Sequence, residues 1–142
     1  MPSSTMTTFR DLSDQIGRGV HNFASHTIRI ALSNSTPLVT DTMLSDIAEI
    51  AATGGYVAGG YALANVTYIE AAGIATLSHD NHVITATGGS IGPFRHVVYY
   101  NDTATSPANA LIGWVSYPTP LTLLDTQFLM IGLTTGALKV KS

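Results

Sequence analysis

Residues 94–100 have the sequence Phe-Arg-His-Val-Val-Tyr-Tyr, whose side chains can be sorted with a period of two. This period is typical of a β-strand, because successive side chains of a strand point to opposite faces of the sheet. One face would hold Phe94, His96, Val98 and Tyr100, and the other Arg95, Val97 and Tyr99. Both faces carry large apolar side chains, so we predict a central strand, or a strand covered by another subunit.

The same period recurs along most of the chain, and turn residues separate the alternating runs. The predicted strands are Thr27–Leu32, Ala62–Ile69, Gly73–Leu77, Val83–Thr87, Phe94–Tyr100, Leu111–Tyr117, Gln127–Leu133 and Ala137–Val140. Short strands at this spacing favour a mainly β fold, either a single antiparallel β-sandwich or a partly closed barrel. Helical patterns do not alternate with the strands, which disfavours a parallel α/β sheet.

The bulky members of the alternating runs are expected in the core or at a subunit contact. They are Ile28, Ile30, Leu32, Leu63, Val98, Ile112, Trp114 and Phe128. Trp114 alternates with Ile112 and Ser116, so we expect these three side chains on one face of their strand. This favours a core or interface role for Trp114 over a sugar-stacking platform formed with the tyrosines at positions 99, 100 and 117.

The N-terminal region has helical spacing. Phe9, Leu12, Ile16 and Val20 recur three or four residues apart, which places them on one face of a helix, with Thr8 as its expected cap. Two interpretations stay open. The helix packs on its own domain, or it is an arm that reaches a neighbouring subunit.

We divide the chain into an N-terminal arm and helix, residues 1–26, and a β-sandwich domain, residues 27–142. Within that domain, the apolar spacing of Leu44–Ala51 predicts one short helix.

The composition argues against several classes of protein. Only 11% of the 142 residues are charged, against roughly 25% in average soluble domains, and the net charge is −3. Lysine and arginine form no run, so we expect no direct nucleic-acid partner. Cysteine is absent, which removes disulfide bonds and thiolate chemistry. No stretch approaches the roughly 20 apolar residues that span a bilayer, and the N-terminus lacks the pattern of a secretory signal, so we expect no membrane partner.

The glycine-tyrosine block Gly54–Tyr61 could be mistaken for a phosphate-binding loop. No Lys-Ser/Thr pair follows it, and its glycine spacing fits neither nucleotide fingerprint. We therefore predict turns with positive φ, or close approach of two backbones.

The histidines offer the remaining candidates for chemistry. His79 and His82 form an H-x-x-H pair in a turn-like stretch, and we interpret them as exposed loop histidines rather than metal ligands. His96 is expected to be a hydrogen-bonded, semi-buried residue or an interface residue. No nucleophile elbow and no paired carboxylates accompany them. We therefore expect no enzyme, no catalytic residue, no cofactor and no metal.

Five short segments follow one another in a characteristic order. They are TIRIAL at Thr27–Leu32, LSDIAEIA at Leu44–Ala51, GYVAGG at Gly55–Gly60, GPFRHVVYYNDT at Gly92–Thr103 and LIGW at Leu111–Trp114. In this order they resemble a family of small tailed-bacteriophage proteins that are encoded among virion structural genes. The resemblance covers residues 9–140.

This resemblance implies a component of the virion, made in the host cytoplasm. The preferred function is that of a capsid decoration, or cement, protein that lies on the capsid surface and binds the major capsid protein. The decoration protein would also bind copies of itself, and a homotrimer is the favoured oligomer. A tail or neck component and a small carbohydrate-binding virion module are the alternatives. The expected contact residues are Phe9, Leu12, Ile16, Val20, Tyr56, Tyr61, Phe94, His96, Tyr99 and Trp114.

Overall fold

The computed structural model describes residues 6–132 and 138–141 of the chain. Its strands are β1 (Thr7–Thr8), β2 (Ile28–Ser33), β3 (Tyr61–Ala62), β4 (Thr67–Ala71), β5 (Ile74–Ser78), β6 (His82–Thr85), β7 (Ile91–Thr105), β8 (Ala108–Leu123), β9 (Phe128–Ile131) and β10 (Leu138–Lys141). They are accompanied by helix α1 (Leu12–Gly17) and a 3₁₀ turn at Leu44–Asp46. Leu133 and Ala137, the predicted ends of two strands, lie outside the described residues.

Three sheets build the fold. The largest has the order β1-β8-β7-β2-β3, and the smaller ones are β10-β5-β4 and the ribbon β6-β9. Their strands pair antiparallel. The prediction of a mainly β, antiparallel fold is confirmed, and the described sheets form a sandwich-like arrangement that does not close into a barrel. The prediction of a central strand is also confirmed, since β7 lies in the middle of the five-stranded sheet.

Both faces of the large sheet are covered by this chain itself. On one face, Ile30 and Tyr99 join Leu77 of β5 and Ile131 of β9 in the main core between the sheets. On the other face, Tyr100 belongs to a second cluster of seven buried residues. These seven are Phe9, Ala31, Ile47, Val98, Tyr100, Leu111 and Trp114. The near-continuous apolar run of β7 is explained by these two covered faces.

An irregularity in β8 corrects the predicted facing of Trp114. Tyr99 pairs with Gly113 while Tyr100 pairs with Leu111, so Ile112 is an extra residue in the ladder. As a result Ile112 lies in the main core and Trp114 in the second cluster, and the expectation of one shared face is wrong.

A similar irregularity corrects the facing of Phe94. The register shifts between Phe94 and His96, and Phe94 joins Val97 and Tyr99 in the main core. The expectation that Phe94 shares a face with Val98 and Tyr100 is therefore wrong. Strict alternation fails wherever the ladder contains additional residues.

The N-terminal helix is much shorter than its sequence spacing predicts. Helix α1 has six residues, and its N-cap is Asp11 rather than Thr8. Thr8 instead pairs with Gly113 in β1, and the Phe9 N–H donates to the Ile112 carbonyl at 3.2 Å. Sheet pairing thus engages the backbone of residues 7–9, and Phe9 and Val20 lie outside the helix.

The described part of the N-terminal segment packs on its own domain, as in the first of the two interpretations. The ring centroids of Phe9 and Trp114 are 4.8 Å apart, while Leu12 enters the main core. A Cβ at Gly113 would lie 2.7 Å from the Thr7 carbonyl oxygen and 2.6 Å from the Met6 side chain, so a glycine is needed where β1 pairs with β8.

Of the short helix predicted at Leu44–Ala51, only a 3₁₀ turn at Leu44–Asp46 forms. The Asp46 carboxylate accepts the N–H of Thr42 at 3.0 Å and closes this turn. Glu49 then forms a bridge with Ser33 at the end of β2, and that pairing keeps the backbone extended.

Of the eight expected core residues, six are buried. Leu63 is half-buried against the main core. Phe128 is 65% exposed and is not part of the core of this chain. In β9, Leu129 and Ile131 face inward instead, so Phe128 is not a core residue of this chain, and its alternative role at a subunit contact stays a prediction.

Candidate functional site

Most of the ten expected contact residues lie inside the chain. Buried side chains are those of Phe9, Leu12, Tyr56, Phe94, His96, Tyr99 and Trp114. Half-buried ones are those of Ile16, Val20 and Tyr61. The buried side chains fill the two clusters or hydrogen-bond within the chain, so contact with a partner through the ten residues stays a prediction. The tyrosines that would join Trp114 in a sugar-stacking platform are also buried, and that arrangement offers no exposed ring pair.

The glycine-tyrosine block has the predicted turn geometry. Gly54, Gly55, Gly59 and Gly60 all have positive φ, between 65° and 94°. A Cβ at Gly60 would overlap the carbonyl oxygen of Ile30, so the loop crosses β2 at backbone distance. The prediction of positive-φ turns and close approach is confirmed.

Hydrogen bonds fasten this loop to the large sheet. Glu49 accepts the Tyr56 hydroxyl at 2.6 Å and the Gly59 N–H at 2.9 Å, and Tyr56 in turn accepts the Leu32 N–H at 3.0 Å. On the other side, Arg29 donates to the Gly60 carbonyl at 2.9 Å. Burial, and then the hydrogen bond to Glu49, raise the pKa of Tyr56, which keeps the hydroxyl protonated. This network holds the loop in place.

His79 and His82 are half-buried, so the expectation of exposed loop histidines is wrong. His79 Nε2 lies 3.1 Å from the hydroxyl of buried Tyr99, and the His82 ring lies 5.0 Å from that of Tyr61. Burial lowers the pKa of both rings. In the part of the chain that the structure describes, no three histidine, aspartate or glutamate side chains come close enough to hold a metal ion.

His96 is buried and hydrogen-bonded, which is one of its two expected roles. Its Nδ1 lies 2.7 Å from the Ser116 hydroxyl directly across the β7–β8 ladder. Its Nε2 meets the Thr36 hydroxyl at 3.5 Å. A catalytic serine-histidine pair has a group that orients the histidine, commonly a carboxylate. In this chain the group next to His96 Nε2 is the Thr36 hydroxyl, at the long distance of 3.5 Å. We therefore interpret His96 and Ser116 as a hydrogen-bonded cross-strand pair.

A buried polar cluster joins the N-terminal segment to β7, and its centre is Asn101. The Asn101 amide nitrogen contacts His21 Nδ1 at 3.0 Å and His26 Nδ1 at 2.9 Å. The Asn101 carbonyl oxygen accepts the Thr103 N–H at 3.0 Å. His21 Nε2 lies 2.8 Å from the Gln15 carbonyl oxygen. We call these four residues, Asn101, His21, His26 and Gln15, the asparagine cluster.

The hydrogen bonds of the asparagine cluster run in one direction. Because the amide nitrogen of Asn101 is a donor, the Nδ1 atoms of both histidines accept, and each neutral ring carries its proton on Nε2. His21 therefore donates to Gln15, and Gln15 donates to Asp11 at 2.7 Å. Burial lowers the pKa of His21 to about 4, with His26 adding to the shift, so the neutral ring required by this arrangement is the stable form.

Two open cavities flank this cluster. One, of about 300 Å³, is lined by Ile16, His21, Phe23 and Tyr68 among others. The second, of about 330 Å³, is lined by Arg18, His26 and hydroxyl-bearing residues of the β7–β8 turn. The sequence gives Asn101 no special role, since its histidine partners lie 75 and 80 residues away along the chain.

The outer face of the β6–β9 ribbon carries three exposed apolar side chains. Val83 is 48% exposed and pairs directly with Met130, which is 45% exposed. Phe128 stands two residues from Met130 and is 65% exposed. We call Val83, Phe128 and Met130 the apolar strip. Clustered exposed apolar side chains of this kind are typical of surfaces that contact another macromolecule.

The fold and these sites define an antiparallel β-sandwich-like protein whose exposed features are an apolar strip and two small cavities. The single α-helix of the described residues has six residues, and none there is long and apolar enough to cross a bilayer. Comparison of the chain with protein-family models, with curated proteins and with solved structures finds no match.

Proposed function

We propose that the chain is a structural protein of a tailed-bacteriophage particle, and specifically a capsid decoration protein that docks on the assembled shell through the apolar strip. The observation that carries the proposal is the exposure of Val83, Phe128 and Met130 on one face of one ribbon. The resemblance of five ordered segments to small virion proteins gives the partner class, the major capsid protein.

The ribbon is well suited to present this strip. Its inner face is anchored by Ile84, which is 1% exposed, and Ile131, which is 3% exposed. The apolar strip therefore lies on two paired strands, β6 and β9, whose inner side chains pack in the core. Because these side chains are 45–65% exposed, burying the rest of each contributes roughly 1–2 kcal/mol before ordering costs are subtracted. One copy then binds modestly, and many copies on a shell stabilise it by mass action.

The test compares variants of the strip with an exposed apolar residue elsewhere. Phe128→Ser and Met130→Ser remove exposed side chains, so folding is retained, and each weakens binding to purified particles by about tenfold or more. Leu38→Ser is the matched control, because Leu38 is 64% exposed in a loop outside the strip. Binding is measured by co-sedimentation with particles of the phage that encodes the chain.

Two results would contradict the proposal. If the strip variants and Leu38→Ser bind particles equally well, the apolar strip is not the surface that contacts the shell. A copy number of about a dozen per virion, as closed cyclic symmetry gives, would place the chain in the tail or neck instead.

A decoration protein is present in hundreds of copies, and we expect the free protein to be a trimer by mass measurement. If Phe128→Ser dissociates that trimer, the strip joins copies of the chain to each other.

A further inference from the structure

We propose that the cavity between the end of helix α1 and the β7–β8 turn binds a small oxyanion, a carboxylate or a phosphate. This site is distinct from the apolar strip and goes beyond the proposed function. The cavity has a volume of about 330 Å³, and its lining residues include Arg18, His26, Thr103, Thr105 and Ser106. Each of these side chains can donate a hydrogen bond, and Arg18 adds a positive charge.

His26 supplies a donor whose direction is fixed. Its Nδ1 accepts the Asn22 N–H at 3.1 Å and contacts the Asn101 amide at 2.9 Å. The proton of the neutral ring is therefore on Nε2. Within the described part of the chain, no protein atom accepts that proton. The asparagine cluster thus makes His26 a donor that is oriented before any ligand arrives.

The hydroxyl groups of the lining add further donors. Thr103 Oγ1 already accepts the Thr27 N–H at 2.9 Å, so its own hydrogen is left to donate. Thr105 and Ser106 follow on the exposed turn. Oxyanions are bound by converging N–H and O–H donors of this kind, with a guanidinium where charge is needed.

Arg18 supplies the charge. Its Nη1 contacts Asp14 Oδ2 at 3.1 Å, and both side chains are more than 60% exposed. Such an exposed ion pair contributes little to stability, so Arg18 can turn from Asp14 to a ligand that other donors also hold. The Asp14 carboxylate then acts as a competitor for the guanidinium, and its removal strengthens binding.

The test is an NMR titration of the full chain with sodium phosphate, sodium sulfate and sodium acetate at constant ionic strength, with sodium chloride as the reference. We expect saturable shifts of the amide signals of Gly19, His26 and residues 103–106. Arg18→Gln weakens binding by about tenfold, the loss of one charge-assisted hydrogen bond. Asp14→Asn tightens it. Arg10→Gln, an exposed arginine away from the cavity, leaves it unchanged.

The anions separate the two sources of the ligand. Tighter binding of phosphate and sulfate than of acetate assigns the site to a free phosphate-like anion. Acetate and a short polyglutamate peptide binding at least as tightly as phosphate assign it to carboxylates of a protein partner. Shifts that do not saturate and match those of chloride would overturn the proposal, as would equal losses in Arg18→Gln and Arg10→Gln. Amide spectra of the free variants verify that each is folded.

Discussion

At the scale of single residues, the backbone contacts of particular glycines and one asparagine decide how distant segments meet. Gly60 allows the glycine-tyrosine block to approach β2 at backbone distance, and Gly113 allows β1 to lie close against β8. Asn101, which is fully buried, joins two histidines of the N-terminal region to β7. None of these three residues is a large apolar side chain, yet each fixes a contact on which the fold depends.

Gly60→Ala tests the close approach. Gly60 has a φ of +73°, and an added Cβ would overlap the Ile30 carbonyl, so backbone must move. We expect the free energy of unfolding to fall by at least about 3 kcal/mol in a urea titration. Gly88→Ala is the matched control, since Gly88 has a φ of +71° with no atom within 4 Å of the added Cβ. Its cost is only the roughly 1–2 kcal/mol of a left-handed alanine. Equal losses in both variants would show that the crossing is not tight.

At the scale of elements, the N-terminal segment is a part of the sandwich. β1 extends the edge of the large sheet, Phe9 covers Trp114, and His21 holds Asn101. All three contacts are made to the large sheet, on its strands β7 and β8. The segment is therefore held to one edge of the large sheet by strand pairing and side-chain contacts, and its six-residue helix contributes less to this attachment.

Deletion of residues 1–22 tests this role. The truncated chain loses β1, the cover of Trp114 and His21, one of the two histidine partners of buried Asn101, so we expect it to unfold or aggregate. Circular dichroism and size-exclusion chromatography measure the outcome. Deletion of residues 1–5 is the control, because the contacts given above begin at Met6. A folded, monomeric chain after deletion of 1–22 would favour the other interpretation, in which the segment is an arm for a neighbouring subunit.

At the scale of the whole molecule, buried histidines tie stability to pH. Burial lowers the pKa values of His21, His79, His82 and His96. A lowered pKa means that the unfolded chain takes up protons at a higher pH than the folded chain. The free energy of unfolding therefore falls as the pH decreases through the unfolded histidine value of about 6.5. Asp11, whose pKa burial raises, opposes this trend at the acidic end of the range.

The pH range over which stability falls extends from about 6.5 down to the pKa of His21 in the folded chain, which is about 4. We expect His21→Gln to bind up to about one proton fewer on unfolding between these two pH values, which flattens the dependence of unfolding free energy on pH. Urea titrations at a series of pH values measure this slope for both proteins. Slopes that do not differ would mean that His21 is not held neutral by the fold.

The local sequence pattern is enough to predict the β class, the antiparallel connections and much of the core, because a period of two places Ile28, Ile30 and Leu32 on one buried face. It also predicts the turns of the glycine-tyrosine block, since only glycine adopts positive φ freely. The other features depend on contacts between distant segments. A bulge at Ile112 moves Trp114 to the opposite face, and backbone pairing with β8 draws Thr8 into a strand. The asparagine cluster and the apolar strip likewise follow from pairings between distant segments, whose register local periodicity does not encode.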